Sequence, residues 1–292
     1  MESCLTVTLV ICTRDRPDLL SRCLRAISCL EPAPDEVLVV DNTPGREVVR
    51  SMAQSNGARY IVEPLPGLSR ARNRGFAEST SDIIAYIDDD AEADPDWLGK
   101  MMEQFGNPLV AAVTGETISS PALRDYFRPL PTRFVGNHDP LWFEMATFGG
   151  LGFGTNMAIR RSAVLSPKPF DERLGRGAPI RLAEESYAFA SLLARGFRAA
   201  HVPYAFVLHE TKPMDVLEEA TASIAYWMLL FSDFPTHRMD LLRFLFRRLR
   251  RKPLAWPREN QNAGAFISSG WRTYCKAGVA GVRLYLSCRK PS

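Results

Sequence analysis

The feature that most constrains the fold is an alternation of apolar runs and amphipathic segments over the first ninety residues. The apolar run at 7–12 is followed by a segment that begins at Pro17, in which apolar residues recur at helical spacing. The same order continues along the chain, with predicted strands at 37–40, 58–62 and 83–87 and predicted helices at 46–56 and 68–79. Repeated βα units of this kind predict a parallel sheet covered by helices.

The pattern beyond residue 90 predicts a less regular half and a helical end. Helices are predicted at 97–105 and 184–195, and strands at 110–114, 156–160, 198–202 and 206–209. The segment 119–154 is rich in Pro, Gly and aromatic residues, which is typical of loops. From 213 onward the chain is predicted to be mainly helical, with a break at 252–257. We therefore expect one domain at 1–212, with halves 1–90 and 91–212, and a helical extension at 213–292.

Composition and targeting signals favour a folded cytoplasmic protein. The chain has 292 residues, of which 46% are hydrophobic and 24% charged, as in ordinary globular domains. We expect no signal peptide, and the apolar stretch at 222–231 is about half as long as a membrane-spanning helix requires. The cysteines form no CxxC pair, so reduced thiols are expected at Cys4, Cys12, Cys23, Cys29, Cys275 and Cys288.

The positive charge is concentrated near the C-terminus. The segment 238–258 has eight Arg or Lys residues and one acid, mixed with Leu, Phe and Trp. Its net charge of +7 leaves about −4 for the rest of a chain whose total is +3. The segment either makes peripheral contact with the inner face of an anionic membrane or forms a helix packed on the main domain. Nucleic-acid binding is not expected, because no recognised module accompanies the basic residues.

Three consecutive aspartates, Asp88 to Asp90, follow the fourth predicted strand. Adjacent carboxylates repel one another, so the arrangement is costly unless a cation or hydrogen bonds compensate. Hard oxygen ligands suit Mg²⁺ or Mn²⁺, which in turn bind diphosphates. The alternative is a polar turn whose acids cap the helix after Pro95. Asp41 ends the second predicted strand, and ligands of such folds gather at the carboxyl ends of the strands.

Seven segments in order resemble the family 2 glycosyltransferases, over about residues 7–209. They are VTLVICTRDRP, VLVVDN, GLSRARNRG, AYIDDDAEADPDWL, GFGTNMAIRRSAV, FDERLGRG and EESYAFASLLARGFRAAHVP. The resemblance implies an α/β fold of the GT-A type, a Rossmann-like nucleotide-diphospho-sugar transferase fold with a helical C-terminal extension. It also implies that residues 1–90 bind the nucleotide and residues 91–212 bind the acceptor.

The resemblance implies a metal site at the end of the fourth strand. Asp90 and Asp88 would bind the metal, with Asp88 nearer the ribose, and Asp89 would be the variable middle residue on the donor side. His209 would be the third ligand, and an ordinary surface histidine is the alternative for it. His201 is expected to be an ordinary histidine with no role in the site.

The resemblance also implies a set of donor contacts. Thr13, Arg14 and Arg16 would lie along the nucleotide. Asp41 would accept a hydrogen bond from the base, and the N3–H donor of uracil suits an acid. Arg72 would approach the diphosphate or the base, a role that suits its planar guanidinium, with a solvated helix charge as the alternative.

Glu184 and Glu185 begin a predicted helix, and one of them is the candidate general base. Free amides and the helix dipole stabilise a charged carboxylate there, as a base that works at neutral pH requires. Capping of the helix by acids is the alternative. The resemblance implies that Glu185 is the base, although Glu stands where the family usually has Asp. The chain departs from the family pattern again at Tyr187, where a second acid is common, and at Ser191, where Arg is common.

Together these features predict an inverting, Mn²⁺- or Mg²⁺-dependent glycosyltransferase that uses a nucleotide-sugar, with UDP-sugar favoured. The acceptor would be a hydroxyl of a glycan, a lipid-linked molecule or a small molecule. A sugar nucleotidyltransferase would require a Gly-rich phosphate loop, which 13–17 is not. A non-catalytic nucleotide-sugar-binding protein is the other alternative, because the Glu-Glu helix is altered.

Overall fold

The computed structural model describes residues 5–43, 47–120, 122, 127–210, 214–251 and 263–289, without the side chains of 248–251 and 263–275. The chain forms two compact units, Met1–Glu172 with Glu184–Thr211, and Arg173–Ala183 with Lys212–Ser292. The sequence placed 173–183 in the first domain. The structure assigns this segment to the second unit, where Arg173 forms an ion pair with Asp233 at 2.7 Å. The boundary at 212 stays a prediction, because 211–213 lie outside the described residues.

A mixed sheet forms the core of the first unit. In spatial order its strands are β3-β2-β1-β4-β8-β6-β9-β5, and β7 pairs with β9. The strands are β1 Val7–Thr13, β2 Glu36–Asp41, β3 Arg59–Val62, β4 Ile83–Asp88, β5 Ala91–Ala93, β6 Val110–Ile118, β7 Arg133–Gly136, β8 Asn156–Arg160 and β9 Arg198–His209.

Helices of the first unit pack their apolar positions against this sheet. The helix α1 begins with Pro17 at its first turn, and Leu20, Cys23, Leu24 and Ile27 are buried as their spacing predicts. The helices are α1 Pro17–Ile27, α2 Glu47–Ser55, α3 Leu68–Glu78, α4 Trp97–Met102, α5 Trp142–Thr147 and α6 Glu184–Ala194. Residue 46, which the sequence placed in the second helix, lies outside the described residues.

The register of the parallel strands brings three predicted site residues to one edge of the sheet. β1 pairs in parallel with both β2 and β4, and β2 pairs in parallel with β3. Thr13 lies opposite Asp41, and the preceding residue, Cys12, lies opposite Asp88. The parallel arrangement of the first four strands is therefore as predicted, and their carboxyl ends converge.

The second half of the sheet has three features that the sequence did not predict. The sheet is mixed, because β8 runs antiparallel to both β4 and β6. The strands predicted at 198–202 and 206–209 are one strand, β9, whose pairing with β6 is irregular around Pro203, a residue without an N–H donor. The segment 119–154 contains β7 and α5, in addition to loops.

The second unit is helical in its described part, with α7 Val216–Asp233, α8 Arg238–Arg251 and α9 Ala263–Cys288. The side chain of Asp215 caps α7 by accepting hydrogen bonds from two amides of its first turn. The predicted break at 252–257 lies outside the described residues. Within the part of the chain that the structure describes, no helix is long and apolar enough to cross a membrane.

The described cysteines, Cys12, Cys23, Cys29 and Cys288, form no disulfide. Cys4 lies outside the described residues, and so does the side chain of Cys275.

A buried amide joins β8 to its neighbours near the converging strand ends. The Oδ1 atom of Asn156 accepts a hydrogen bond from Trp97 Nε1 at 2.7 Å, and its Nδ2 atom donates to the carbonyls of Glu116 and Ala205 at 2.8 and 2.9 Å. A Cβ atom at Gly115 would lie 1.7 Å from the Ala205 carbonyl and 2.5 Å from the Asn156 amide. Only glycine therefore fits where β6 passes this crosslink.

We predict that Gly115→Ala lowers the free energy of unfolding by about 1–3 kcal/mol or more, because the added methyl overlaps backbone that cannot yield. Gly106→Ala is the matched control, since a Cβ atom there meets nothing within 4 Å. Urea denaturation followed by far-UV circular dichroism measures both variants. Equal stability of the two variants would contradict the close approach of Gly115 to the Ala205 carbonyl.

Candidate active site

Two aspartates and a histidine meet at the carboxyl end of β4. Ala91 of β5 lies opposite His209 of β9, and this pairing brings the histidine beside the acidic turn. Asp88, Asp90 and His209 each offer one ligand atom, and these atoms lie within 4.8 Å of one another. His209 Nε2 is 3.1 Å from Asp90 Oδ1. Two carboxylates and an imidazole are a donor set that Mn²⁺ accepts, so the side chains fit a divalent cation.

The loop after β1 contacts the same acidic turn. Arg16 reaches Asp89 Oδ1 at 2.9 Å and Asp90 Oδ2 at 2.7 Å, which places one positive charge between two acids. Asp89 is fully buried, and Thr13 Oγ1 donates a hydrogen bond to it at 2.7 Å. Burial raises the pKa of Asp89 to about 6, although Arg16 and Thr13 act in the opposite direction. Arg14 is exposed in this loop.

Thr13 and Asp89 therefore join two strand ends through their own side chains. Both residues are almost completely buried. The contact of Thr13 and Asp89 with the nucleotide stays a prediction. Their hydrogen bond to each other holds the ends of β1 and β4 together.

A buried guanidinium connects the acidic turn to α6. Arg72 Nη1 lies 2.7 Å from Glu184 Oε1, and Nη2 lies 3.1 Å from Asp88 Oδ1. Nη2 also donates to the Gly154 carbonyl at 3.0 Å. Arg72 is 2% exposed, so the alternative of a solvated helix charge is wrong. The neighbouring carboxylates keep the guanidinium protonated and raise its pKa further, against the effect of burial.

Two small features hold Arg72 in this position. A Cβ atom at Gly154 would lie 2.7 Å from Arg72 Nη1, so a larger residue would displace the guanidinium. The next residue, Asn73, makes two hydrogen bonds with the backbone of Phe170, at 2.8 and 2.9 Å. These bonds join Asn73 of the segment GLSRARNRG to Phe170, the first residue of FDERLGRG, which lies nearly a hundred residues further along the chain.

The two acids that begin α6 have different surroundings. Glu184 is 6% exposed and forms the ion pair with Arg72. Glu185 is partly buried, and its pKa is raised to about 8, first by burial and second by the charge of Glu184. The sequence argument expected the helix N-terminus to keep this carboxylate ionised at neutral pH. Burial outweighs that effect, because the helix-terminal stabilisation is small beside the cost of desolvating a carboxylate.

Asp41 lies at the end of β2 with no exposed surface. Tyr60 Oη donates to its Oδ2 atom at 2.8 Å, and the backbone amide of Thr43 donates to Oδ1 at 2.8 Å. Each carboxylate oxygen retains a second lone pair. A nucleobase would reach Asp41 only after a movement of Tyr60 or Thr43.

Sequence reasoning missed a second polar cluster on β6 and β9. His201 Nδ1 lies 3.0 Å from Thr114 Oγ1, and its Nε2 atom lies 3.6 Å from Glu116 Oε2. This contact with His201 lowers the pKa of Glu116. The opposition of Thr114 and His201 in the parallel pairing creates the cluster, and no local signal in the sequence indicates that pairing. Tyr60 and Gly154 were missed for the same reason.

Comparisons with known proteins agree with this architecture. A model of the family described as Glycosyl transferase family 2 matches residues 8–165. The chain is 29% identical over 237 residues to the succinoglycan biosynthesis protein ExoM of Rhizobium meliloti, which covers 76% of this chain and 70% of ExoM. It spans about half the length of several other curated relatives that it matches.

Solved structures show the same fold. The mannosyltransferase PcManGT of Pyrobaculum calidifontis, in complex with GDP-Man and Mn²⁺, superposes with a TM-score of 0.64 at 17% identity, over 99% of this chain and 89% of that one. Glucosyl-3-phosphoglycerate synthase of Mycobacterium tuberculosis, with Mn²⁺, UDP and glucosyl-3-phosphoglycerate, gives a TM-score of 0.52 at 17% identity, over 77% of this chain and 79% of that one. The GT-A fold with a helical C-terminal region is therefore confirmed.

We predict strong coupling between Arg72 and Glu184 in a double-mutant cycle of Arg72→Met and Glu184→Gln. Arg72→Met should cost about 3–5 kcal/mol of unfolding free energy, since it leaves buried carboxylates without their cation. The coupling energy should be about 1–3 kcal/mol.

The matched control cycle is Arg74→Met with Glu78→Gln, a pair in the same helix at 2.9 Å whose side chains are 46% and 32% exposed. Its coupling should be only about 0.3–0.5 kcal/mol. Urea denaturation measures all the variants, and equal coupling in the two cycles would contradict the central role given to Arg72.

Proposed function

The chain belongs to glycosyl transferase family 2 and is a glycosyltransferase; we propose that it transfers a sugar with inversion from a nucleotide-diphosphate donor, in a metal-dependent reaction. The observation that carries this proposal is the group formed by Asp88, Asp90 and His209, beside the buried Arg72–Glu184 pair. The strand ends that converge there form the edge at which folds of this layout bind their ligands.

We assign the metal, Mn²⁺ or Mg²⁺, to Asp90, Asp88 and His209. When bound, a divalent cation offsets the charge that develops on a departing diphosphate. Asp88 is also held by Arg72, because its Oδ1 atom accepts a hydrogen bond from the guanidinium. Arg72 is therefore a positioning residue for the metal ligand in this proposal.

The donor contacts that we propose lie along the loop after β1. Arg16 supplies positive charge beside the acidic turn, where a diphosphate would need it, and Arg14 is exposed in the same loop. Thr13 and Asp89 hold this loop against the turn through their hydrogen bond. UDP is the favoured nucleotide, because Asp41 would accept from uracil N3–H through a remaining lone pair once Thr43 or Tyr60 moved.

We propose that Glu185 is the general base. Glu184 is committed to Arg72 by a bond of 2.7 Å, which leaves Glu185 as the carboxylate at this helix terminus that could accept a proton from an acceptor hydroxyl. A carboxyl group whose pKa is about 8 is mostly protonated at neutral pH, and its ionised form is a stronger base than an ordinary carboxylate. Turnover should therefore fall as the pH falls below about 8.

The acceptor is proposed only as a hydroxyl of a glycan, a lipid-linked molecule or a small molecule, in a cytoplasmic setting. Slow hydrolysis of the donor tests the proposed donor before an acceptor is known. The enzyme should release UDP from a UDP-sugar in the presence of Mn²⁺.

We predict that UDP binds more tightly with Mn²⁺ or Mg²⁺ than in EDTA, and that Asp90→Ala removes this difference. Isothermal titration calorimetry measures the affinity, and GDP titrated in parallel tests the choice of nucleotide. Glu92→Ala is the matched control, because Glu92 is a more exposed acid two residues away, with 46% of its side chain accessible against 16% for Asp90. Equal UDP affinity in EDTA, with activity intact in Asp90→Ala, would refute the metal assignment.

We predict that Glu185→Gln lowers turnover by a factor of about 10² to 10⁴ while donor and metal still bind. The substitution keeps the shape of the side chain and removes the proton acceptor. It should also abolish the rise of turnover with pH. Glu184→Gln should lower turnover less, and it should weaken the interaction with Arg72 because the charge of the ion pair is lost.

The kinetics of both variants test this assignment, with donor hydrolysis as the readout until an acceptor is identified. An inactive Glu184→Gln enzyme beside a near-normal Glu185→Gln enzyme would reverse the roles of the two acids.

A further inference from the structure

Helix α8 exposes a continuous apolar strip. Met239, Leu242, Leu245 and Phe246 are 58%, 47%, 41% and 56% exposed. At 100° per residue these four positions fall within an arc of about 120° around the helix axis. Four large apolar side chains exposed on one face of one helix form a surface of the kind that binds a partner.

Residues outside the arc are used for packing. Leu241 is completely buried, and the ring of Phe244 stacks on Trp227 of α7 with a centroid separation of 5.6 Å. Phe244 lies about 160° around the helix from the centre of the arc and Leu241 about 100° from it, so the packing on α7 leaves the apolar strip exposed. The strip is therefore additional to the apolar face that the second unit needs for its own core.

Positive charge accompanies the strip. Arg243, with 66% of its side chain exposed, and the partly buried Arg247 lie along one edge of the arc, and the exposed Arg238 lies at the N-terminal end of the helix. The one acid of 238–258, Asp240, lies outside the arc and contacts Arg243 at 3.4 Å and His237 at 3.1 Å. The sequence from 248 to 258 adds five basic residues and no acid.

We propose that α8 lies on an anionic lipid surface, with Leu242 and Leu245 at the boundary between headgroups and acyl chains and with Arg243 among the phosphates. Apolar residues on one face flanked by basic residues are the physical signature of a helix that lies in the membrane interface. Two copies of this chain that met through the strip would bring two basic helices together, whereas anionic headgroups offset that charge. This inference goes beyond the proposed function, because it concerns the surface at which the enzyme works.

The experiment is co-sedimentation of the full-length protein with vesicles of phosphatidylcholine alone and of phosphatidylcholine mixed with phosphatidylglycerol. The protein should bind the mixed vesicles only, and high salt should release it, because exposed charges are screened. The double variant Leu242→Glu, Leu245→Glu should partition at least about tenfold less, since it removes apolar area and adds negative charge.

Two matched controls separate this surface from general effects of substitution. Leu165→Glu changes a leucine that is 83% exposed in the first unit, and it should bind vesicles as the unchanged protein does. Arg243→Gln should lower partition by about fivefold, whereas Arg25→Gln on the exposed side of α1 should not. All variants should retain their far-UV circular dichroism spectra and their affinity for UDP, so failure of this inference leaves the donor site unaffected.

Several results would overturn the proposal. They are an unchanged protein that binds neither vesicle, a double variant that binds the mixed vesicles normally, and binding that does not depend on phosphatidylglycerol. Concentration-dependent self-association in sedimentation velocity, lost in the double variant and unaccompanied by vesicle binding, would assign the strip to a second copy of the chain instead.

Discussion

The buried guanidinium of Arg72 is the interaction on which the site depends. It is bonded to Glu184 on α6, to Asp88 at the end of β4 and to the carbonyl of Gly154 just before β8. A charge that is almost completely removed from water is tolerated only when its partners are complete, so each partner fixes the others in place. The acidic turn is therefore held in one arrangement before any ligand arrives, which is what a metal site requires.

A second positive charge, on Arg16, serves the same turn from the other side. Arg16 and Arg72 approach different members of the three consecutive aspartates, and His209 approaches the last of them. The three aspartates therefore have different surroundings. Asp89 is buried between Thr13 and Arg16, and Asp88 and Asp90 remain partly exposed at the edge of the sheet. Without these cations the three adjacent carboxylates would repel one another. With them, the end of β4 is held in place while Asp88 and Asp90 keep part of their surface exposed.

The sequence predicted what local patterns determine. The first four strands, their parallel order and the acids at their ends follow from apolar runs and amphipathic spacing, both of which are local. The antiparallel direction of β8, the union of two predicted strands in β9 and the pairing of His201 with Thr114 depend on contacts between distant segments. The pair between Arg72 and Glu184 spans 112 residues, and only the folded chain reveals it. The raised pKa of Glu185 was unpredictable for the same reason, since burial by the fold is its main cause.

The central claim is that the converging strand ends bind a nucleotide diphosphate through a divalent cation, and a crystal grown with UDP and Mn²⁺ tests it most directly. An anomalous difference map should place the manganese about 2.0–2.3 Å from Asp90 and His209, with the diphosphate on the metal and Arg72 still bonded to Glu184. A manganese peak elsewhere, or a nucleotide bound away from β1 and β4, would contradict the account.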